Sequence, residues 1–390
     1  MEKKLQLLSK TEFSHLVKSH KIDVAFAFFY ILYSLYFYFQ VSIISVPIGD
    51  AADYLSNAHS WLFNAALTSS FRPPLISWLT AGIWGLVGEN WIVIKYLMPV
   101  FTLAAGIIFY VLLKKYKGSL FAFGVCSLTM LNPQVFFWGT QILTEGLSLF
   151  FLILTLYLVK SDKKTSWFLA GITIALTFAS RYPIILQSLA IFIVEFILRK
   201  NYKLASYTVM GALPIITIVM LTVLLKTGTF IVAIGQDTQF TFFLSPFYLQ
   251  NSINIWGIAC LLVPFAFIFR KTYSDTFNYI FIVWFIVSLI FWSSNATNHQ
   301  SRFALQFTPA VYFLAILAVE NIAKINVSRD NFSLKKIVNK VPFRHKRVID
   351  IVVLTDIEEV RRLLASGWEY QTSYPATIAN VPHYVLVKTG

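Results

Sequence analysis

Two aspartates and an arginine bracket a polar stretch, residues 49–74 (GDAADYLSNAHSWLFNAALTSSFRPP), in an otherwise apolar sequence. Asp50 and Asp53 stand at its head, three positions apart, so on a helix they share one face. Each could act as a general base, or could simply cap that helix. Arg72 closes the stretch before two prolines that restrict the chain, and its forked donors suit a phosphate.

Three further charged residues are candidates because they occur where apolar runs begin or end. Glu145 follows Thr144 at the head of an apolar run, where a carboxylate is costly unless it faces a wet cavity or a partner; capping by Thr144 and the helix dipole is the alternative. Arg181 and Arg302 could bind a phosphate or diphosphate, or could snorkel to lipid headgroups.

The sequence is also compatible with a metal site, although the predicted chemistry requires no cofactor. His59 and His299 could combine with the carboxylates, but no HxxxH or HExxH spacing supports this. Cys126 and Cys260 both lie in apolar runs, which predicts small core residues rather than a disulfide or metal pair.

The elements that position these residues are predicted to be membrane helices. The chain has 390 residues, of which 57% are hydrophobic and 37 are Phe, and its mean hydropathy is +0.68. A soluble domain averages about 45–50% apolar residues, so this composition indicates a polytopic all-α membrane protein. Ten apolar runs are candidate spans: 22–46, 96–113, 119–137, 142–159, 165–181, 183–198, 204–225, 253–269, 277–293 and 303–323.

An eleventh run, residues 73–88, is short for a span, and the distribution of positive charge decides how to interpret it. If it does not span, 27 of the 32 Lys and Arg residues fall on the inner side, as the positive-inside rule requires. If it spans, the basic clusters near 114, 160, 199 and 270 all move outside. We therefore predict an outer loop, 47–95, that contains two helices lying in the membrane interface.

The same topology places both termini in the cytoplasm and the candidate site on the outer face of the cell membrane. Residues 1–21 form an inner segment, 22–323 the membrane domain, 226–252 a second outer loop and 324–347 a basic linker. Residues 348–390 are predicted to form a small soluble α+β unit. The net charge of +14 is then a topology signal with affinity for anionic lipid, and nucleic acid is excluded as a partner.

Several segments, taken in order, resemble the GT-C glycosyltransferases, in the branch of the protein O-mannosyltransferases and the aminoarabinose transferase. GDAADYLSNAH…FRPPLISWL is similar to the first outer loop of that family. LTMLNPQVFFWGTQILTEGLSLFFLILTLYLV resembles the span pair with a second acidic residue. LAGITIALTFASRYPIIL resembles a hairpin with a basic residue, and HQSRFALQFTPAVYFLA a late span start with His and Arg. The resemblance covers about residues 22–323.

This resemblance implies an integral membrane enzyme that takes a sugar from a polyprenyl-phosphate-linked donor and transfers it to a glycan, lipid or protein hydroxyl on the outer side. The reaction would be a single inverting displacement. Asp50 would be the base, with Asp53 as its neighbour or the alternative base, and Glu145 would contact the acceptor or the sugar. The residues implied to bind substrate are Arg72, Tyr54, Arg181, Tyr182, His299 and Arg302.

Other functions are compatible with parts of the sequence. A lipid or lipid-linked-sugar transporter is the main alternative, although such proteins favour internal repeats and charges near mid-membrane. A catalytically inactive GT-C-like scaffold and a different enzyme acting on lipid phosphates are the others. The sequence leaves the sugar and the acceptor open.

Overall fold

The computed structural model describes residues 20–47, 49–228, 244–269, 272–273, 275–294, 300–327, 348–354, 357–366, 369–374 and 383–389. The chain divides into two units, Met1–Ala323 and Lys324–Gly390.

The first unit is built from helices. The described α-helices are α1 Lys21–Ile43, α2 Asp50–Leu62, α3 Leu75–Val87, α4 Trp91–Lys117, α5 Ser119–Leu131, α6 Pro133–Gly139, α7 Thr144–Val159, α8 Lys164–Ser180, α9 Ile185–Arg199, α10 Tyr202–Thr227, α11 Phe247–Gln250, α12 Ser252–Trp256, α13 Val263–Ala266, α14 Thr276–Ser293 and α15 Thr308–Val327. Short 3-10 helices at Tyr182–Ile184, Gly257–Leu262 and Ser301–Phe307 precede α9, α13 and α15.

The helix lengths identify a multi-pass membrane protein but differ from the ten predicted spans. Within the described ranges, six helices are long and apolar enough to cross a membrane, or seven if α5 and α6, bent by 61°, form one broken span. Pro133 starts α6 and interrupts the run predicted at 119–137, because proline cannot continue the hydrogen bonding of α5. The run predicted at 253–269 is divided among short helices, and α7 has only 16 residues. The count of ten remains a prediction.

The two helices predicted in the first loop are present as α2 and α3, each with 13 residues. Such a helix is about 20 Å long, which is shorter than the roughly 30 Å hydrocarbon core, so neither spans it alone. One face of α2, with Ala51, Tyr54, Leu55 and Ala58, is buried, and the helix packs against α3. Lys95 ties this loop to α1, since its Nζ donates to the carbonyls of Ser42 at 3.1 Å and Ile44 at 2.6 Å.

The main apolar core lies among the long helices, and a second cluster joins α2 and α3 to the starts of α4 and α7. Helices α8 and α10 cross closely at two glycines. A Cβ on Gly171 would lie 2.0 Å from the carbonyl oxygen of Thr208, and one on Gly211 would lie 2.1 Å from that of Phe168. The absence of side chains therefore sets the separation of these helices, as in other membrane helix pairs.

The second unit contains three antiparallel strands and a helix: β1 Val348–Leu354, α16 Ile357–Ala365, β2 Glu369–Tyr374 and β3 His383–Thr389. Strand β3 lies between the other two, in the order β1-β3-β2. Asp356 and Gly367, which the sequence favours as the cap and the end of α16, lie outside the described residues. Helix α15 runs to Val327, four residues beyond the end of the span predicted at 303–323.

Candidate active site

Asp50 and Asp53 occupy the first turn of α2, and both bind Arg72. The helix begins at Asp50, with Gly49 at the N-cap in a conformation with φ of +55° that glycine adopts at low cost. Neither aspartate therefore serves as the cap that the sequence left open. Arg72 Nη2 donates to Asp50 Oδ1 at 2.6 Å, and its Nε and Nη2 donate to Asp53 Oδ2 at 3.0 and 2.9 Å.

The second oxygen of Asp50 binds Arg302, which comes from the far end of the chain. Arg302 lies in the 3-10 helix before α15, and its Nη1 donates to Asp50 Oδ2 at 2.9 Å. Its Nε lies 3.9 Å from Glu145 Oε1. This Nε is buried and has no hydrogen-bond partner among the described residues. Asp50 is thus the carboxylate that joins Arg72 of the first loop to Arg302.

Glu145 is buried in the first turn of α7 and pairs with Arg181. Arg181 Nη1 donates to Glu145 Oε1 at 2.5 Å, and the two side chains are only 11% and 2% exposed. The sequence left open a cap by Thr144, but α7 begins at Thr144 with Leu143 at the N-cap position. Thr144 instead donates its hydroxyl to Glu145 Oε2 at 3.5 Å.

Aromatic side chains contact both Arg181 and Arg302. The Phe303 ring lies 4.8 Å from Arg181 Cζ and 5.3 Å from Arg302 Cζ, so both cations contact it. Trp292 stacks on Phe303 at 4.4 Å, and Trp138 lies 5.7 Å from Arg302 Cζ. Sequence reasoning missed these aromatics. Phe303 alone carried a signal, since it directly follows Arg302 in HQSRF.

The predicted tyrosines lie at the same site. Tyr54 is buried on α2, and its ring centroid is 5.8 Å from Arg72 Cζ. Tyr182 follows Arg181 in a 3-10 turn, and its buried hydroxyl has no hydrogen-bond partner within the described part of the chain. His299 lies outside the described residues.

The charges of the site balance and keep Asp50 ionised. Asp50, Asp53 and Glu145 face the three cations Arg72, Arg181 and Arg302. Burial raises the pKa of Asp50, but the charges and hydrogen bonds of Arg302 and Arg72 outweigh it and hold that pKa below its ordinary value of 3.8. Burial, with the nearby charge of Glu145, raises the pKa of Tyr54 to about 12. Asp50 is therefore a carboxylate and Tyr54 a neutral phenol at neutral pH.

Of the two histidines considered as metal ligands, only His59 lies among the described residues. His59 Nδ1 pairs with Glu89 at 2.5 Å. Among the described residues, no group of three or more His, Cys, Asp or Glu side chains could hold a metal ion.

Comparisons with known proteins agree with this fold. A family model described as dolichyl-phosphate-mannose-protein mannosyltransferase matches residues 71–227, which include Arg72, Glu145 and Arg181. A crystal structure of ArnT from Cupriavidus metallidurans in the apo state aligns with a TM-score of 0.58 and 13% identity, over 82% of this chain and 62% of that one. A structure of the same protein bound to undecaprenyl phosphate aligns with a TM-score of 0.60 and 14% identity, over 81% and 61%.

This chain thus spans about three fifths of the length of those structures. No curated protein sequence matches it. The resemblance to the GT-C membrane glycosyltransferases predicted from the sequence is confirmed, by the family model for one stretch and by the fold for most of the chain.

Proposed function

The chain has the fold of the GT-C membrane glycosyltransferases, and from this we propose that it transfers a sugar from a polyprenyl-phosphate-linked donor to an acceptor hydroxyl on the outer side of the membrane. The match to a mannosyltransferase family and the likeness to a protein crystallised with undecaprenyl phosphate support this class of donor. The acceptor is a glycan, a lipid or a protein. The cation count supports an outer site with cytoplasmic termini.

The observation that carries the proposal is the convergence of a carboxylate and arginines from separate parts of the chain. Asp50 Oδ2 is 2.9 Å from Arg302 Nη1, and Arg302 in turn approaches the Glu145–Arg181 pair. A sugar transfer of this kind needs a base for the acceptor hydroxyl and cations for the departing phosphate. In this site the candidate base, Asp50, and one of the cations, Arg302, are in direct hydrogen-bond contact.

In the proposed reaction, Asp50 accepts the proton of the acceptor hydroxyl as that oxygen attacks C1 of the sugar. The bond from C1 to the phosphate oxygen breaks, and the polyprenyl phosphate leaves with the negative charge. Arg302 and Arg181 stabilise that charge, because preorganised cations act most strongly where charge develops in a site that excludes water. One displacement, without a covalent enzyme intermediate, inverts the configuration at C1.

In this mechanism the donor phosphate binds Arg302 beside Asp50. Its Nη1 is occupied by Asp50, whereas its Nε faces Glu145 at 3.9 Å and is free of hydrogen bonds to described residues. A phosphate oxygen placed at this Nε would compete with Asp50 for the guanidinium. Asp50 Oδ2 would then be available as the base, while Oδ1 keeps its hydrogen bond from Arg72.

The test is a transfer assay with the purified full chain in liposomes, supplied with radiolabelled polyprenyl-phosphate sugars and candidate acceptors. We expect label to appear on an acceptor with the wild type and to be lost with Asp50→Asn. Movement of the intact lipid-linked sugar across the bilayer, without transfer, would instead establish a transporter. If every tested donor stays intact and in its own leaflet, the enzyme proposal is wrong.

A further inference from the structure

A second charged pocket lies at the other end of the helices that carry Arg181. Helix α8 begins at Lys164 and ends next to Arg181, so its 17 residues separate the two places by about 25 Å. The pocket has a volume of about 460 Å³ and lies among the ends of α7, α8, α9 and α10. It is lined by Asp162, Lys164, Arg199, Asn201, Lys203 and Leu204.

We propose that this pocket binds the phosphate-bearing headgroup of an anionic phospholipid in the leaflet opposite the candidate active site. The proposal does not depend on the sugar-transfer function, because none of the pocket residues belongs to that site.

The first argument is the local charge balance. Segments 160–164 and 195–204 carry six cations and two carboxylates. The carboxylates are already neutralised, because Glu195 binds Lys160 at 2.6 Å and Arg199 at 2.8 Å, while Asp162 pairs with Arg199. The four remaining lysines, Lys163, Lys164, Lys200 and Lys203, form no ion pair with any described residue.

The second argument is that this surplus is smaller in a comparable basic cluster, where Lys115 alone of the three lysines forms no ion pair with a described residue. At the end of α4, Lys114 pairs with Asp23 at 2.8 Å and Lys117 pairs with Asp275. The positive-inside rule accounts for lysines at that end of the helices in both places. It does not account for a cavity in which two of the lining cations, Lys164 and Lys203, form no ion pair with a described residue.

The third argument is that several side chains around the pocket are held in place by ion pairs and hydrogen bonds. Arg199 is fixed by Glu195, which is itself buried, and by Asp162. Asn201 caps α10 by accepting from the backbone N–H of Leu204 at 3.1 Å. The N-termini of α8 and α10 both lie at the pocket, so their helix dipoles add to its positive potential. Lys164, whose Nζ lies 5.9 Å from the centroid of the Tyr207 ring, and Lys203 remain as exposed donors.

The surroundings favour a lipid over a free phosphate ion. The ends of α8, α9 and α10 near the pocket also expose apolar side chains. Phe168 is 39%, Ile197 59% and Tyr202 76% exposed. These side chains provide an apolar surface for acyl chains next to the headgroup position. Basic pockets between membrane helices on the inner side suit anionic headgroups for the same reason.

The experiment is native mass spectrometry of the full chain in mixed micelles of phosphatidylglycerol and phosphatidylcholine. We expect the wild type to retain phosphatidylglycerol and the double variant Lys164→Gln/Lys203→Gln to bind it about thirtyfold more weakly, at about fivefold per lysine. The matched control, Lys21→Gln/Lys115→Gln, removes two exposed lysines from the same predicted side, and we expect it to retain the lipid. If both variants unfold at the same temperature as the wild type, their folds are intact.

Three outcomes overturn the proposal. The pocket variant could bind phosphatidylglycerol as tightly as the wild type. The control could lose as much lipid as the pocket variant, which would indicate a diffuse surface charge. In a third arm, inorganic phosphate at the same concentration could displace the lipid from the wild type, which would indicate a site for free phosphate.

Discussion

Asp50 and Arg302 are 252 positions apart in the chain, yet Asp50 Oδ2 accepts a hydrogen bond from Arg302 Nη1 at 2.9 Å. The contact joins the first outer loop to the segment that leads into the last long helix. It also distinguishes the two loop aspartates, because Asp53 binds only Arg72 among the residues that the structure describes. Of the two aspartates, Asp50 is therefore the one that contacts Arg302, which we propose stabilises the leaving phosphate.

Asp50→Asn is expected to lower kcat/KM for sugar transfer by about 100-fold to 10,000-fold, the usual contribution of a general base. Asp53→Asn is the matched control, since it removes an equal charge three residues away from a carboxylate that also binds Arg72. We expect it to cost much less. Steady-state kinetics on both variants decide the question that the sequence left open, and a larger loss in Asp53→Asn would make Asp53 the base.

Arg302→Lys is expected to weaken binding of the polyprenyl-phosphate donor by about tenfold to a hundredfold, as loss of a charged hydrogen bond would. Lysine keeps the charge but cannot reproduce the planar fork that reaches Asp50 and Glu145. The KM for donor measures this effect. Lys226→Gln is the control, because Lys226 binds Asn64 and Ala65 instead. An unchanged donor KM in Arg302→Lys would contradict the phosphate role.

Glu145→Ala and Arg181→Ala are each expected to lower the free energy of unfolding by roughly 3–5 kcal/mol, because each leaves a buried charge without its partner. The double variant should lose less than the sum of the two. Unfolding of the detergent-solubilised protein measures all three. Glu89→Ala, which breaks the exposed pair with His59, should cost about 1 kcal/mol or less. If the loss in the double variant equals the sum of the two single losses, Glu145 and Arg181 are not energetically coupled.

The pKa of Asp50 predicts where acid affects the protein. Because the folded pKa lies below 3.8, the stability that this carboxylate contributes is present above the unfolded pKa and is lost as the pH falls through the folded value. The acid limb of kcat/KM due to Asp50 should likewise lie below pH 3.8 in the free enzyme. A pH profile checks this, and an acid limb near neutrality that disappears in Asp50→Asn would contradict it.

Gly171→Ala is expected to destabilise the protein by about 1–3 kcal/mol, the typical cost of overpacking. Its Cβ would lie 2.0 Å from a backbone oxygen of α10, which cannot move as a side chain can. Gly82→Ala is the control, because nothing lies within 4 Å of that added Cβ. We expect it to be neutral or slightly stabilising, since alanine favours helix by up to about 1 kcal/mol. Thermal unfolding of the two variants compares them.

The sequence by itself determined the membrane class, the two helices of the first loop and the types of residue at the site. Apolar runs exclude a soluble chain, and the stripe of Ala51, Tyr54, Leu55 and Ala58 follows the period of a helix with one buried face. These are local properties, because hydropathy and periodicity act over neighbouring residues. Hydropathy alone gave no break in the run 119–137, whereas in the structure Pro133 begins a new helix, α6.

Only the tertiary structure decided which charged residues meet. Spacing places Asp50 and Asp53 on one face of a helix but cannot bring Arg302 to Asp50, because that contact depends on how distant helices pack. The same packing buries Glu145 with Arg181, places Phe303 in contact with two arginines and leaves a basic pocket at the opposite helix ends. In an apolar medium, buried charges must find partners. Which partners they find is a property of the folded chain.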